Sequence, residues 1–188
     1  MIPELPSPSP DGGNTVARLI EQAKSVHVDF EDPGCAARVY SELVSATSAV
    51  VLLGSDDPER LLVALGPFAR RAGQSIYRYI PEQGLTSMRE DSILVPQTKR
   101  PPEALRHIMQ SSHFGVYLFP DGREQLQGPN LAALKQLARR RPPGDKRIVL
   151  IARDLLELAP LLDVAPAVRQ RSRSTGRLKL RDGRWIRG

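Results

Sequence analysis

Residues 48–79, SAVVLLGSDDPERLLVALGPFARRAGQSIYRY, constrain the fold more than any other stretch of this chain. Ala49 to Leu53 is continuously apolar and rich in β-branched side chains, as suits a strand covered on both faces. Asp57 then offers a helix cap and Pro58 the favoured first helical residue. The helix predicted to Ala72 gathers Leu61, Leu62, Leu65, Phe68 and Ala69 on one stripe and turns Arg60, Arg70 and Arg71 outward. Gly73 stops it. The alternation Ile76-Tyr77-Arg78-Tyr79-Ile80 is the next strand. A strand, a long amphipathic helix and a second strand form one βαβ unit, which places the two strands parallel with a right-handed crossover.

The remaining pattern repeats that unit. Asn14 or Thr15 can cap a helix to about Lys24, with Val16, Leu19, Ile20 and Ala23 at helical spacing. Val26 to Phe30 suits a short half-buried strand, and a helix is expected from Cys35 to Ser45. Residues 81–101, with Pro81, Gly84, Pro96 and Pro101, read as a long irregular loop, which is a common place for function. A helix from Pro102 to about Ser112 precedes the strand 114–119. A helix from Asn130 or Pro129 to Arg140 precedes the strand 148–151, and a last short helix covers Leu155 to Leu162. Strands alternating with helices predict an α/β protein: a three-layer α/β/α sandwich around a mostly parallel sheet of about five strands.

The 188 residues divide by composition into a disordered leader (1–13, four prolines and two glycines), an α/β domain (14–165) and a basic tail (166–188). A domain of this size buries about 70% of its unfolded surface and needs no disulfide or metal to fold. Cys35 is the only cysteine, so no intramolecular bridge forms and a reducing, cytoplasmic setting is expected. No apolar run is long enough to span a membrane, and the first residues lack the pattern of a secretory signal.

In a parallel sheet, ligands collect at the carboxyl ends of the strands. The first such turn here is Gly54-Ser55-Asp56-Asp57-Pro58-Glu59. A phosphate-binding loop needs several glycines, a lysine and a magnesium-binding hydroxyl. This turn has one glycine, no lysine and three carboxylates, which would satisfy the helix N-terminus themselves. Two readings of the acids are open: Asp56, Asp57 and Asp121 as a magnesium pocket, or Asp57 as a cap and Asp121 as a turn residue. His27, His107 and His113 have no metal-ligand spacing, no paired base can be assigned to Cys35, and no nucleophile elbow occurs. No catalytic, cofactor or metal residue is therefore assigned, and the chain is expected not to be an enzyme.

The tail carries the net positive charge. Residues 166–188 hold eight basic side chains (Arg169, Arg171, Arg173, Arg177, Lys179, Arg181, Arg184 and Arg187) against one acid, Asp182, which leaves the first 165 residues close to neutral. Residues 169–176 read as flexible, and 178–186 as a β-hairpin. Asp182-Gly183 would be its two-residue turn, with Leu180 opposite Trp185. One reading makes these basic residues and Trp185 contacts for an acidic protein surface or for nucleic acid phosphates. The other makes them a solvated face on a hairpin that extends the sheet.

The segments AVVLLGSDDPERLLVALGPFARRAGQSIYRYIPEQGL, FGVYLFPDG and IVLIARDLLELAPLL, in that order between about Ala49 and Val164, resemble the N-terminal, non-catalytic domain of bacterial and plastid AAA-type ATPases. The resemblance implies a degenerate P-loop-like fold that has shed its phosphate motifs, and it carries over no functional residue. The basic hairpin is no part of that pattern, and no ATPase module follows within these residues. The expected function is a non-enzymatic accessory or regulatory protein acting through protein contacts, with the 81–101 loop and the basic tail as its contact surfaces. The alternatives are a nucleic-acid-associated protein using the tail, and a cryptic nucleotide- or magnesium-dependent domain at the Gly54 and Asp121 turns.

Overall fold

Strand β2 (Val50–Ser55) is buried at every position, and its side chains alternate between two separate cores. The computed structural model describes residues 11–90, 93–139, 146–172, 178–179 and 185–186. Around β2 lie β1 (Lys24–Val28), β3 (Ile76–Ile80), β4 (Gly84–Ser87), β5 (Gly115–Phe119), β6 (Lys146–Ala152) and β7 (Ala167–Ser172). They form one seven-stranded sheet in the order β1-β7-β2-β6-β5-β3-β4, parallel throughout except for the β3–β4 edge.

The helices are α1 (Asp11–Glu21), α2 (Cys35–Ser45), α3 (Pro58–Ala72), α4 (Pro101–Gln110) and α5 (Gly128–Arg139), with 3-10 segments at Gly122–Leu126 and Leu155–Leu161. On one face of the sheet, Val39 and Leu43 of α2 and Leu61, Leu65 and Ala69 of α3 pack on Val51, Leu53, Val116 and Ile151. On the other face, Leu105 and Ile108 of α4, Leu134 of α5 and Leu155, Leu158 and Leu161 pack on Val50, Leu52, Phe119 and Leu150. β2, β5 and β6 thus supply both cores from alternate residues, which explains why they read as unbroken apolar runs. Stacked rings, Tyr77 on Tyr117 at 5.1 Å and Tyr79 on Phe119 at 5.2 Å, hold β3 against β5. The expected three-layer sandwich is present.

Two strands exceed the expected five. β4 lies inside the segment read as irregular, where its four residues are buried and paired with β3. Residues 93–95 cover its outer edge: the Ser87 N–H donates to the Ile93 carbonyl (3.0 Å) and the Val95 N–H to that of Leu85 (2.8 Å). β7 overturns the flexible reading of 169–176 as far as Ser172. It runs between β1 and β2 with Val168 paired to both Lys24 and Leu53, so the sheet extends past residue 165. Its interior face is Val168 and Gln170, and a buried glutamine carries no hydrophobic signal.

Smaller differences have local causes. α1 begins at Asp11, so its first residues belong to the segment read as leader, whereas residues 1–10 lie outside those described. β1 is displaced two residues toward the N-terminus. β6 starts at Lys146 because two buried cations finish neighbouring helices: Lys146 Nζ donates to the carbonyls of Ile108 (2.9 Å) and Ser111, and Arg147 Nη2 to that of Val44 (2.9 Å). Burial pushes the Lys146 ammonium below the ordinary lysine range.

The C-terminal hairpin is present as β8 (Leu178–Lys179) and β9 (Trp185–Ile186), but as a separate two-stranded sheet that does not extend the main one. Its register sets Lys179 opposite Trp185, one residue away from the pairing a two-residue Asp182-Gly183 turn would impose.

Candidate functional site

The corner at the carboxyl end of β2 is closed by its own side chains. Asp57 Oδ1 accepts the Arg60 N–H at 3.0 Å and Pro58 occupies the first helical position, as expected for a capped α3. Gly73, at φ 63°, ends that helix in the left-handed conformation. Asp56 turns toward β7, where its carboxylate oxygens accept the Ser172 N–H at 3.0 and 3.3 Å. Ser55, fully buried, donates its hydroxyl to Gln170 Oε1, and Gln170 Nε2 donates onward to Ser172 Oγ at 3.3 Å. Leu155 lies directly against the Gly54 backbone and fills the corner with hydrocarbon. Gly54, read from the sequence as part of the turn, lies with Ser55 inside β2, and its missing side chain leaves room for a leucine.

Two clefts flank this corner. One, of about 390 Å³, opens beyond β3, β5 and β6, with Arg78, Arg123 and Arg153 facing Glu59, Asp121 and Glu157. Arg153 pairs with Glu59 at 3.0 Å, and Glu157 Oε1 accepts the Asp154 N–H at 3.1 Å. The other, of about 320 Å³, lies beyond β2 and β7 and is lined by Asp56, Asp154, Arg153, Arg169 and Arg171. Both have mixed charge, so an anion entering either meets carboxylates beside the guanidiniums. Asp56 and Asp121 line different clefts, and no metal-holding group of three or more His, Cys, Asp or Glu side chains occurs among the described residues.

Of the basic residues expected as contacts, Arg169 and Arg171 are carried on β7 at the second cleft. Lys179 and Trp185 lie on β8 and β9. Arg173, Arg177, Arg181, Arg184 and Arg187 fall outside the described residues. His27 and His113 are exposed, and His107 is half-buried on α4. Cys35 is buried, and desolvation raises its thiol above the ordinary range, away from the reactive thiolate.

A third concavity, of about 650 Å³, falls partly in the 81–101 segment expected as a contact surface; the α4 residues that form its other wall were not singled out from the sequence. It runs between residues 96–100 and the outer face of α4. Thr98, fully buried, pins its rim: Oγ1 accepts the Leu85 N–H at 2.9 Å and donates to the Val95 carbonyl at 2.7 Å. Tyr79 Oη donates to the Lys99 carbonyl at 2.6 Å. Gly84, at φ 95°, has no room for a side chain, because a Cβ would lie 2.5 Å from Thr98 Oγ1. Gln97 on the same rim holds φ 58°, a left-handed conformation uncommon for a residue with a side chain.

Residues 39–165, about two thirds of the chain, match a family described as SpoVK-like AAA ATPase, N-terminal domain. No match was found among the curated proteins or among the solved structures. The matched span takes in β2 through β6 and ends just before β7.

Proposed function

This chain belongs to the SpoVK-like AAA ATPase N-terminal domain family, and from that premise we propose that it is a non-enzymatic accessory or regulatory module acting through protein contacts. Its P-loop-like frame serves as a scaffold that neither binds nor turns over nucleotide.

One observation carries the reading. Leu155 packs on Gly54 where a phosphate loop needs open backbone, while Asp56 and Asp57 consume nearby N–H groups. A phosphate there would need those hydrogen bonds broken and would still face two carboxylates. The family's place beside an AAA ATPase supports service to such a machine, and the lone buried Cys35 fits a reducing cytoplasm.

The test is a thermal-shift screen with ATP, GTP and cyclic dinucleotides, each with magnesium, run beside a phosphate-release assay. No shift and no release are expected. Stabilisation by several degrees, or turnover, would overturn the proposal.

A further inference from the structure

We propose that the groove between residues 96–100 and α4 is a docking site for an acidic segment of a partner protein. The proposal rests on the contact-module reading and gives that contact a place and a chemistry.

The charge is one-sided. Lys99, Arg100 and Arg106 are exposed and form no ion pair among the described residues. Glu103 is the one carboxylate among the described lining residues, and its Oε2 accepts the Arg100 N–H at 3.3 Å as the first turn of α4 is capped. Glu103, Arg106, His107 and Gln110 recur at helical spacing, so they form one stripe along the groove while Ala104, Leu105 and Ile108 face the core. Carboxylates entering there gain three cations that give up no existing partner.

The shape is already formed. Thr98 and Tyr79 hold the rim by hydrogen bonds to backbone, so little ordering entropy is spent on docking. The left-handed Gln97 is strain kept at that rim, as at many binding loops. An acidic peptide fits better than nucleic acid for two reasons. Among the described residues, no Phe, Tyr or Trp lines the groove, and the lone imidazole of His107 offers no run of rings for successive bases to stack on. The first 165 residues are close to neutral overall, so long-range attraction to a phosphate backbone is weak there.

The test uses the full chain and a fluorescein-labelled oligoglutamate peptide, with anisotropy read at low and high salt. The variant K99E/R106E reverses two groove charges. The control R70E/R71E reverses two exposed charges on α3, across the sheet. Thermal melting checks that both variants fold.

The native chain and the control are expected to bind, with K99E/R106E weaker by about tenfold or more. The proposal is overturned by absent binding to the native chain, by equal losses in both variants, or by no loss in K99E/R106E. It is also overturned if single-stranded DNA of matched charge binds more tightly through the same two residues. A negative result here with no nucleotide response removes the groove alone. A groove effect together with a nucleotide-induced stabilisation removes the inert-scaffold reading and leaves the groove.

Discussion

Gly54 and Leu155 compete for one volume: a Cβ at Gly54 would lie 2.8 Å from Leu155 Cγ, inside any real van der Waals contact. The pairing ties the end of β2 to the segment after β6, strands that are neighbours in the sheet and lie far apart in the chain. Gly54→Ala should cost about 1–3 kcal/mol through overpacking. Leu155→Ala, which empties a buried site, should cost about 2–5 kcal/mol. The double variant should cost less than the two together, since the new methyl occupies part of the space released. Urea denaturation of all four chains measures this. Strict additivity would show that the two residues do not share the corner.

Truncation should separate the seven-stranded sheet from the C-terminal residues beyond it. A chain ending at Ala165 loses β7, leaving β1 without a partner and β2 unpaired on one side. It should show no cooperative thermal transition. A chain ending at Ser172 keeps every strand of the seven-stranded sheet and should melt cooperatively. Cooperative melting of the shorter chain would contradict the inserted position of β7.

Thr98→Val keeps the shape of a fully buried side chain and removes the hydroxyl shared by Leu85 and Val95. The orphaned Leu85 N–H should cost about 1–3 kcal/mol. Amide exchange by NMR should speed up at Leu85 and across residues 93–99, and leave β2 and β6 protected. Unchanged exchange at Leu85 would mean the hydroxyl does not pin the rim.

Asp32 should make stability sensitive to acid. The Gly34 N–H (2.8 Å) and the Arg38 guanidinium (2.7 Å) hold its carboxyl below the ordinary 3.8. A carboxyl depressed in the folded state adds stability above its unfolded pKa and loses it as pH falls through the folded one. The Tm difference between the native chain and Asp32→Asn should therefore be widest above about pH 4 and close at lower pH. A difference constant from neutral pH into acid would refute the assignment.

Legibility tracked the origin of each signal. α2, α3 and β3 were readable because caps, stripes and alternation are local: Asp57-Pro58 opens α3, Gly73 closes it, and both ends agree with the structure. β7 was hidden because Gln170 is buried between β1 and β2 and bonded to Ser55, a partner 115 residues away. β4 was hidden because Gly84-Leu85-Thr86-Ser87 is only four residues long and carries no distinct period. Lys146 and Arg147 precede the apolar run that marked the strand from 148, and only the carbonyl ends of α4 and α2 explain why these two cations are buried in β6. The hairpin was recognisable from its turn residues, and its register was not.

By itself the sequence determined the layering and the poverty of the β2 turn. Periodicity decides which faces must be covered, and a turn with no lysine and three carboxylates is visible in any conformation. Only the tertiary structure decided what closes that turn and where an open, unpaired surface remains. Strand order brought Leu155 and Gln170 to Gly54 and Ser55. Chain folding brought Leu85 and Tyr79 to Thr98 and Lys99, pinning the rim beside α4. Proximity between distant segments is a product of packing, and no local pattern encodes it.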